Sequence, residues 1–257
     1  MKSGESTLAL TEVLDLALKA GLLVHQSGGD TARTGQTIRR MARALGAERA
    51  ESAISSLNIG LTVVRGLENE TAFRKAPHMG ANFTLLSSVE QVVEGVESGR
   101  VGAAGARTLL DDLHNRRHFY PRWLIAITVG LSCGGFAALF GGDTMAIVDT
   151  TIGAALGMAL RLWLHGRHYK PFLFALASSF VALLTTGLLA QFGPMASATP
   201  ELARAASVLF LIPGVPLING ASDLFNANYL NGLVRITMGA VFVVGIALGV
   251  SLALRLL

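Results

Sequence analysis

Cysteine is almost absent from this 257-residue chain: Cys133 stands alone, so no intrachain disulfide is possible. A continuous apolar leader is missing too, because Glu12, Asp15 and Lys19 interrupt the first apolar pattern, and the N-terminal region is expected to stay in the cytoplasm. Charge is sparse at 15%, and the sparseness is local. Of 21 Lys/Arg, 15 lie at or before Arg122, as do 13 of the 17 Asp/Glu. That contrast excludes a uniformly soluble protein and predicts a cytoplasmic α/β domain over residues 1–119, followed by a transmembrane domain over 120–257. The net charge of +4 calls for no nucleic acid, since Arg116, Arg117, Arg122, Arg167 and Lys170 flank apolar runs, where basic residues mark the cytoplasmic side.

What is present in the first part reads as α-α-β-β-β-α-α. Leu10, Val13, Leu14, Ala17, Leu18 and Gly21 recur at helical spacing, and Gln26-Ser27-Gly28-Gly29 stops that helix. Ser27 or Asp30 caps a second helix that runs to about Leu45. Its basic face, Arg33, Arg39, Arg40 and Arg43, reads first as a solvated surface and second as a contact for lipid head groups or an anionic partner. Three strands follow, 50–56, 59–65 and 71–75, with a turn at Gly66-Leu67-Glu68-Asn69, then helices over about 83–97 and 102–114. Gly28-Gly29 is no phosphate loop, because it follows a helix and lacks a Gly-Lys-Ser/Thr sequel. Asp111, Asp112, His114 and His118 have zinc-ligand chemistry, but the adjacent Arg116 and Arg117 favour an ordinary juxtamembrane segment.

Five runs are long enough to cross a bilayer core of about 30 Å: 123–140, 144–164, 171–191, 203–218 and 233–254. The predicted fold class is therefore an α-helical polytopic membrane protein with about five transmembrane helices, one of them broken, behind a small cytoplasmic α/β domain. The basic flanks, including the 165–170 loop (with His168) and Arg235, set the cytoplasmic side, and five spans then place the C-terminus outside.

The fourth run carries the most informative interruption, Leu211-Ile212-Pro213-Gly214-Val215-Pro216-Leu217-Ile218-Asn219, closed by Asp223. Pro213 cannot donate to the Leu209 carbonyl, nor Pro216 to that of Ile212, and Gly214 permits a sharp turn between them. Two freed carbonyls are expected, and broken spans with such groups hold substrates or ions near the membrane midplane. Pro213, Gly214, Pro216, Asn219 and Asp223 are thus candidate substrate-binding residues, with Asp223 alternatively a cytoplasmic cap beside Ser222. Asp149 joins them: Asp149, Gly153 and Gly157 repeat at i, i+4, i+8, so this carboxylate lines a pathway or sits at the outer interface. Gly130-Leu131-Ser132-Cys133-Gly134 matches a nucleophile elbow but lies inside a predicted span, so helix packing is the preferred reading and no enzyme is expected. No cofactor or metal site is expected.

On Arg43-Ala44-Leu45-Gly46, Glu51-Ser52-Ala53-Ile54-Ser55-Ser56, Tyr120-Pro121-Arg122-Trp123-Leu124, Val129-Gly130-Leu131-Ser132-Cys133 and the proline segment, the chain resembles the threonine/serine exporter family over nearly its whole length. The resemblance implies a secondary exporter of small polar metabolites in a bacterial inner membrane. Long members carry a second hydrophobic half, which this chain, ending at Leu257, lacks; a separate small hydrophobic membrane partner and a hetero-oligomer are implied. In that split form the resemblance implies export of succinate or related C4-dicarboxylates, with threonine and serine the alternative and a non-transporting regulatory subunit a third reading.

Overall fold

Seventeen residues from Leu10 to Gln26 form helix α1, which buries nearly every apolar side chain it has. The computed structural model describes residues 8–76, 80–115, 120–167, 169–192 and 196–257. Arg116, Arg117, His118 and His168 lie outside them. The chain forms two compact units, Met1–Arg117 with Val215–Thr237 and His118–Gly214 with Met238–Leu257.

In the first unit α1 is followed by α2 (Thr31–Ala44), strands β1 (Arg49–Ile54), β2 (Asn58–Arg65) and β3 (Glu68–Lys75), then α3 (Phe83–Glu97) and α4 (Ala103–Asn115). The expected element order is observed. Asp30, not Ser27, caps α2, accepting from the Arg33 amide at 2.7 Å. The sheet is antiparallel in the order β1-β2-β3. The β2–β3 turn is two residues tighter than the sequence suggested, pairing Arg65 with Glu68 around Gly66 and Leu67. Gly66 has φ +58°, which a two-residue hairpin demands of its first turn position. β3 accordingly starts three residues earlier than its apolar pattern, because Glu68, Asn69 and Glu70 are held by register rather than burial. Ile59, Leu61 and Val63 of β2 join Val13, Ala17, Leu18 and Val24 of α1, Ile38 and Met41 of α2 and Val89 and Val93 of α3 in one core.

The second unit holds α5 (Arg122–Leu139), α6 (Thr144–Gly166) and α7 (Pro171–Phe192), then the short α8 (Pro200–Ser207) and a 3-10 turn, Leu209–Leu211. Helix α9 (Gly214–Phe225) belongs with the first unit, and α10 (Tyr229–Leu254) passes from the first unit into the second at Met238. Among the described residues, four helices (α5, α6, α7, α10) are long and apolar enough to span a membrane, and five spans result if Pro200–Leu211 and Gly214–Phe225, bent by 60°, count as one. Glycines set the helix contacts. A Cβ on Gly130 would come 2.9 Å from that of Ala155, and one on Gly134 3.0 Å from the Ile147 carbonyl oxygen, so α5 lies close on α6. Gly153 and Gly157 do the same for α6 against α7, where added Cβ atoms would stand 2.6 Å from the Ala182 oxygen and 2.9 Å from the Ser178 oxygen. This is small-xxx-small packing, and it carries the Gly-x-Ser-x-Gly stretch as well: Ser132 returns its hydroxyl to the Thr128 carbonyl at 2.8 Å. Trp123, Ile127, Leu131 and Leu139 of α5 are exposed, as a lipid-facing surface would be.

Candidate functional site

The break between Leu211 and Gly214 is built differently from its expectation. Leu209 and Ile212 do not offer vacant carbonyls: Leu209 O accepts from the Ile212 amide at 3.2 Å and Ile212 O from the Gly214 amide at 2.8 Å. The chain has tightened into a 3-10 turn and a three-residue turn around Pro213, which re-satisfies the groups that the proline left without α-helical partners. Ile212 is extended (φ −57°, ψ 123°), as the residue before a proline prefers. Pro213 is buried. Pro216 falls in the first turn of α9, where its missing N–H has no partner to lose. Gly214 opens α9 with no left-handed φ, and a Cβ there would meet nothing within 4 Å.

Asn219 and Asp223 sit on α9 in the first unit, facing the α1–α2 junction. Asn219 Nδ2 donates to the Gly28 carbonyl at 2.7 Å. Gly28 has φ +93°, a conformation open to glycine that turns this carbonyl outward from the end of α1. Asp223 is buried and accepts from the Thr31 amide at 3.1 Å, the first residue of α2, where the helix dipole favours an anion. Its Oδ2 lies 3.1 Å from Arg235 Nε, an ion pair without the alignment of a hydrogen bond. Arg235 Nη2 donates to the Gly29 carbonyl at 3.1 Å, Ser222 Oγ lies 3.3 Å from Asp30 Oδ2, and Asn231 Nδ2 donates to Ile54 O at 2.8 Å. The Gly28-Gly29-Asp30-Thr31 corner is thus a socket for α9 and the start of α10. No local sequence signal announces this, because its partners are 191 or more residues apart for Asn219 and Asp223.

The remaining candidate, Asp149, lies in the second unit together with Pro213 and Gly214, so the six residues divide between two units. Asp149 is buried, with Oδ2 lacking a hydrogen-bond partner among the described residues. On its helix face Gly153 and Gly157 follow, and one turn further stands Arg161. Sequence reasoning passed over Arg161, although the i, i+4 series that singled out Asp149 leads straight to it. Arg161 Nη1 donates to the Phe210 carbonyl at 3.3 Å, inside the 3-10 turn of the broken span, and its guanidinium stands 5.7 Å from the Phe174 ring centre.

Outside the spans, electrostatics is spent on structure. Arg40 on α2 pairs with Glu97 at 2.6 Å and with Glu90. Glu97, then Glu90, push the guanidinium pKa up, while Arg40 holds the Glu97 carboxyl below its ordinary value. A shallow cleft of about 410 Å³ beside it is lined by Gln36, Arg39, Arg40, Arg43, Ala44 and Glu97. Asp111 pairs with Lys19, and no three His, Cys, Asp or Glu side chains gather as metal ligands among the described residues. Asp143 caps α6 and accepts from Ser197 at 2.6 Å and Thr199 at 2.7 Å, whose hydroxyls hold its carboxyl well below the usual range.

Comparison with known proteins agrees with this architecture. A family model described as "Putative threonine/serine exporter" (ThrE) matches residues 15–257. The chain is 34% identical over 244 residues to the "Probable succinate transporter subunit YjjP" of Escherichia coli strain K12, covering 95% of this chain and 94% of that one. It is 24% identical to the "Probable threonine/serine exporter" of Mycobacterium tuberculosis over 98% of this chain but 47% of that protein. Against the "Threonine/serine exporter" of Corynebacterium glutamicum the identity is 23%, over 95% of this chain and 51% of the relative. No solved structure matches the chain. Four apolar helices of membrane-spanning length and one bent helix pair among the described residues, with a family match over nearly the full sequence, lead to one conclusion: this chain is a multi-pass membrane protein that belongs to the threonine/serine exporter family.

Proposed function

We propose that the chain is one subunit of a secondary exporter for small polar carboxylates, with succinate or related C4-dicarboxylates the first choice and threonine or serine the alternative. The observation that carries this reading is the 60° bend between Pro200–Leu211 and Gly214–Phe225, in a family whose members are named as exporters. A bent span is a ready hinge, and alternating access around a broken helix is how such spans serve transport. The word "subunit" in the YjjP relative's name supports a second component, a small hydrophobic membrane partner of the YjjB kind. The N-terminal unit faces the cytoplasm of a bacterial cell and the C-terminus the periplasm, a reading supported by the basic flanks of the spans.

Asn219 and Asp223 act here through a catch. Their bonds to Gly28 and Thr31 hold α9 on the α1–α2 corner, and moving α9 requires giving those bonds up to water or to substrate. Asp149, buried with an unpartnered oxygen, is the residue proposed to carry a coupling proton. The same socket favours a second reading, in which the N-terminal unit regulates and the partner alone moves substrate.

Efflux of labelled succinate and threonine from cells expressing this chain, the partner, both or neither tests the proposal. Flux that needs both chains supports a two-component exporter and names its substrate class. Flux with the partner alone transfers the chain to a regulatory role. Ser132→Ala is expected to leave flux near wild type; its loss would reopen nucleophilic chemistry.

A further inference from the structure

Building on the exporter reading, we infer that Arg161 is the carboxylate-binding residue of the membrane domain, with the Ser178 hydroxyl as its second donor. A cationic side chain within a membrane span is expensive and is placed by function or by pairing. Pairing does not account for Arg161: no carboxylate lies within ion-pair distance of it among the described residues. Among the described residues its hydrogen-bond and ring contacts are the Phe210 carbonyl and the face of Phe174. A guanidinium has five N–H donors in a planar fork, so most of its capacity is open for an incoming anion.

The surroundings add a second, independent observation. Ser178 is fully buried and its Oγ has no hydrogen-bond partner among the described residues. It sits one turn from Phe174 on α7, while on α6 Gly157 sits one turn from Arg161. The register is direct: a Cβ on Gly157 would lie 2.9 Å from the Ser178 carbonyl and 3.1 Å from the Phe210 ring. Arg161, Ser178 and the Phe210 carbonyl of the broken span therefore belong to one α6–α7–break junction. Arginine grips a carboxylate through two parallel hydrogen bonds, and a nearby hydroxyl can donate a third. The chemistry fits a small carboxylate, whether a dicarboxylate or the carboxylate end of an amino acid. Arg161 touches the turn that bends the span, so ligand at this point would compete for the donor now holding Phe210, linking occupancy to the bend.

The test uses the full chain with its membrane partner, purified and reconstituted, with succinate and threonine as separate probes. Affinity is measured by direct binding and transport by counterflow in liposomes. Arg161→Gln is expected to weaken binding of the accepted probe about ten- to hundredfold and Ser178→Ala about three- to tenfold, the range for losing charge-assisted and neutral hydrogen bonds. Arg161→Lys is expected to fall between, keeping the charge and losing the fork. Wild-type affinity in folded Arg161→Gln overturns the assignment and leaves the exporter reading standing. If Arg161→Gln does not fold, Arg161→Lys and Ser178→Ala decide, and wild-type affinity in both overturns it. A wild-type complex that binds through Arg161 yet moves neither probe keeps the site and removes the exporter reading. Binding of neither probe by the wild type overturns the site.

Discussion

Asp223 and Arg235 form a buried ion pair, Oδ2 to Nε 3.1 Å apart, with side-chain exposures of 1% and 12%. Each also reaches the α1–α2 corner, Asp223 through the Thr31 amide and Arg235 through the Gly29 carbonyl. Removing one partner leaves the other charged and unpaired in a site with little water. Asp223→Ala is therefore expected to destabilise the purified protein by about 3–5 kcal/mol. The double variant with Arg235→Ala is expected to lose less than the two singles added together, because only the pair term is shared. Thermal unfolding of the four proteins in one detergent measures this. Strict additivity would mean that the two residues act independently.

Such a network changes how export data on this segment must be interpreted. An Asp223 variant that no longer transports has lost the catch for α9 as well as any contact with substrate. Asp223→Asn separates the two: it preserves acceptance from the Thr31 amide while discharging the pair with Arg235.

Much of the architecture was legible in local pattern. α1 announces itself by Leu10, Val13, Leu14 and Ala17 at helical spacing, and the spans by apolar length; both signals come from burial, which is written residue by residue. Pro213 marked the break correctly, yet not its chemistry. Proline removes a donor, and whether the orphaned carbonyl stays vacant depends on how the next three residues fold, which a 3-10 turn settled here. The socket at Gly28-Gly29-Asp30-Thr31 could not be read at all, since hydrogen bonds to residues near 220 and 235 leave no periodicity behind. Arg161 is intermediate: its register with Asp149, Gly153 and Gly157 was in plain sight, but a lone arginine near the end of an apolar run resembles an interfacial anchor.

The α6–α7 contact depends on two hydrogens. A side chain at Gly153 would drive into Thr186 and the Ala182 carbonyl, both backbone-anchored on a packed helix. Gly153→Leu is expected to abolish stable insertion or folding, and Gly153→Ala to cost about 1–3 kcal/mol as overpacking. Gly135, where a Cβ would meet nothing within 4 Å, is the matched control, and Gly135→Ala is expected to leave stability unchanged or raise it by up to about 1 kcal/mol. Expression level and unfolding temperature of the three variants check both statements.

Asp143 ties the start of α6 to Ser197, Thr199 and the Ala198 amide. The Ser197 and Thr199 hydroxyls, followed by the main-chain amides, stabilise its carboxylate and lower its pKa in the folded protein. A group whose folded pKa is depressed stabilises above its unfolded value, about 4 for an aspartate, and loses that contribution as pH falls through the folded value. Asp143→Asn is therefore expected to lower the unfolding temperature near neutral pH. The gap from wild type should narrow as pH drops from about 4, where the carboxylate of the unfolded wild-type chain takes up its proton, toward the lower folded value. A gap that does not change with pH would show that the cap acts through shape alone.

Gly214 offers the sharpest separation between the resting fold and motion. It opens α9 directly after Pro213, its φ lies outside the left-handed region, and a Cβ would meet no atom within 4 Å. Alanine fits the observed conformation and loses less backbone entropy on folding, so Gly214→Ala is expected to be neutral or to stabilise by up to about 1 kcal/mol. In the proposed alternating-access cycle the bend at Ile212-Pro213 changes, and a second conformation there is the one place where the hydrogen at Gly214 matters. Unfolding temperature and succinate counterflow measured on the same preparation give two numbers that need not move together. Unchanged stability with turnover reduced several-fold is the expected result, and it places the hinge at Gly214. Unchanged stability with unchanged turnover would move the hinge elsewhere, and a loss of folded protein would mean that the open space beside Gly214 is occupied, by a partner chain, in the working assembly.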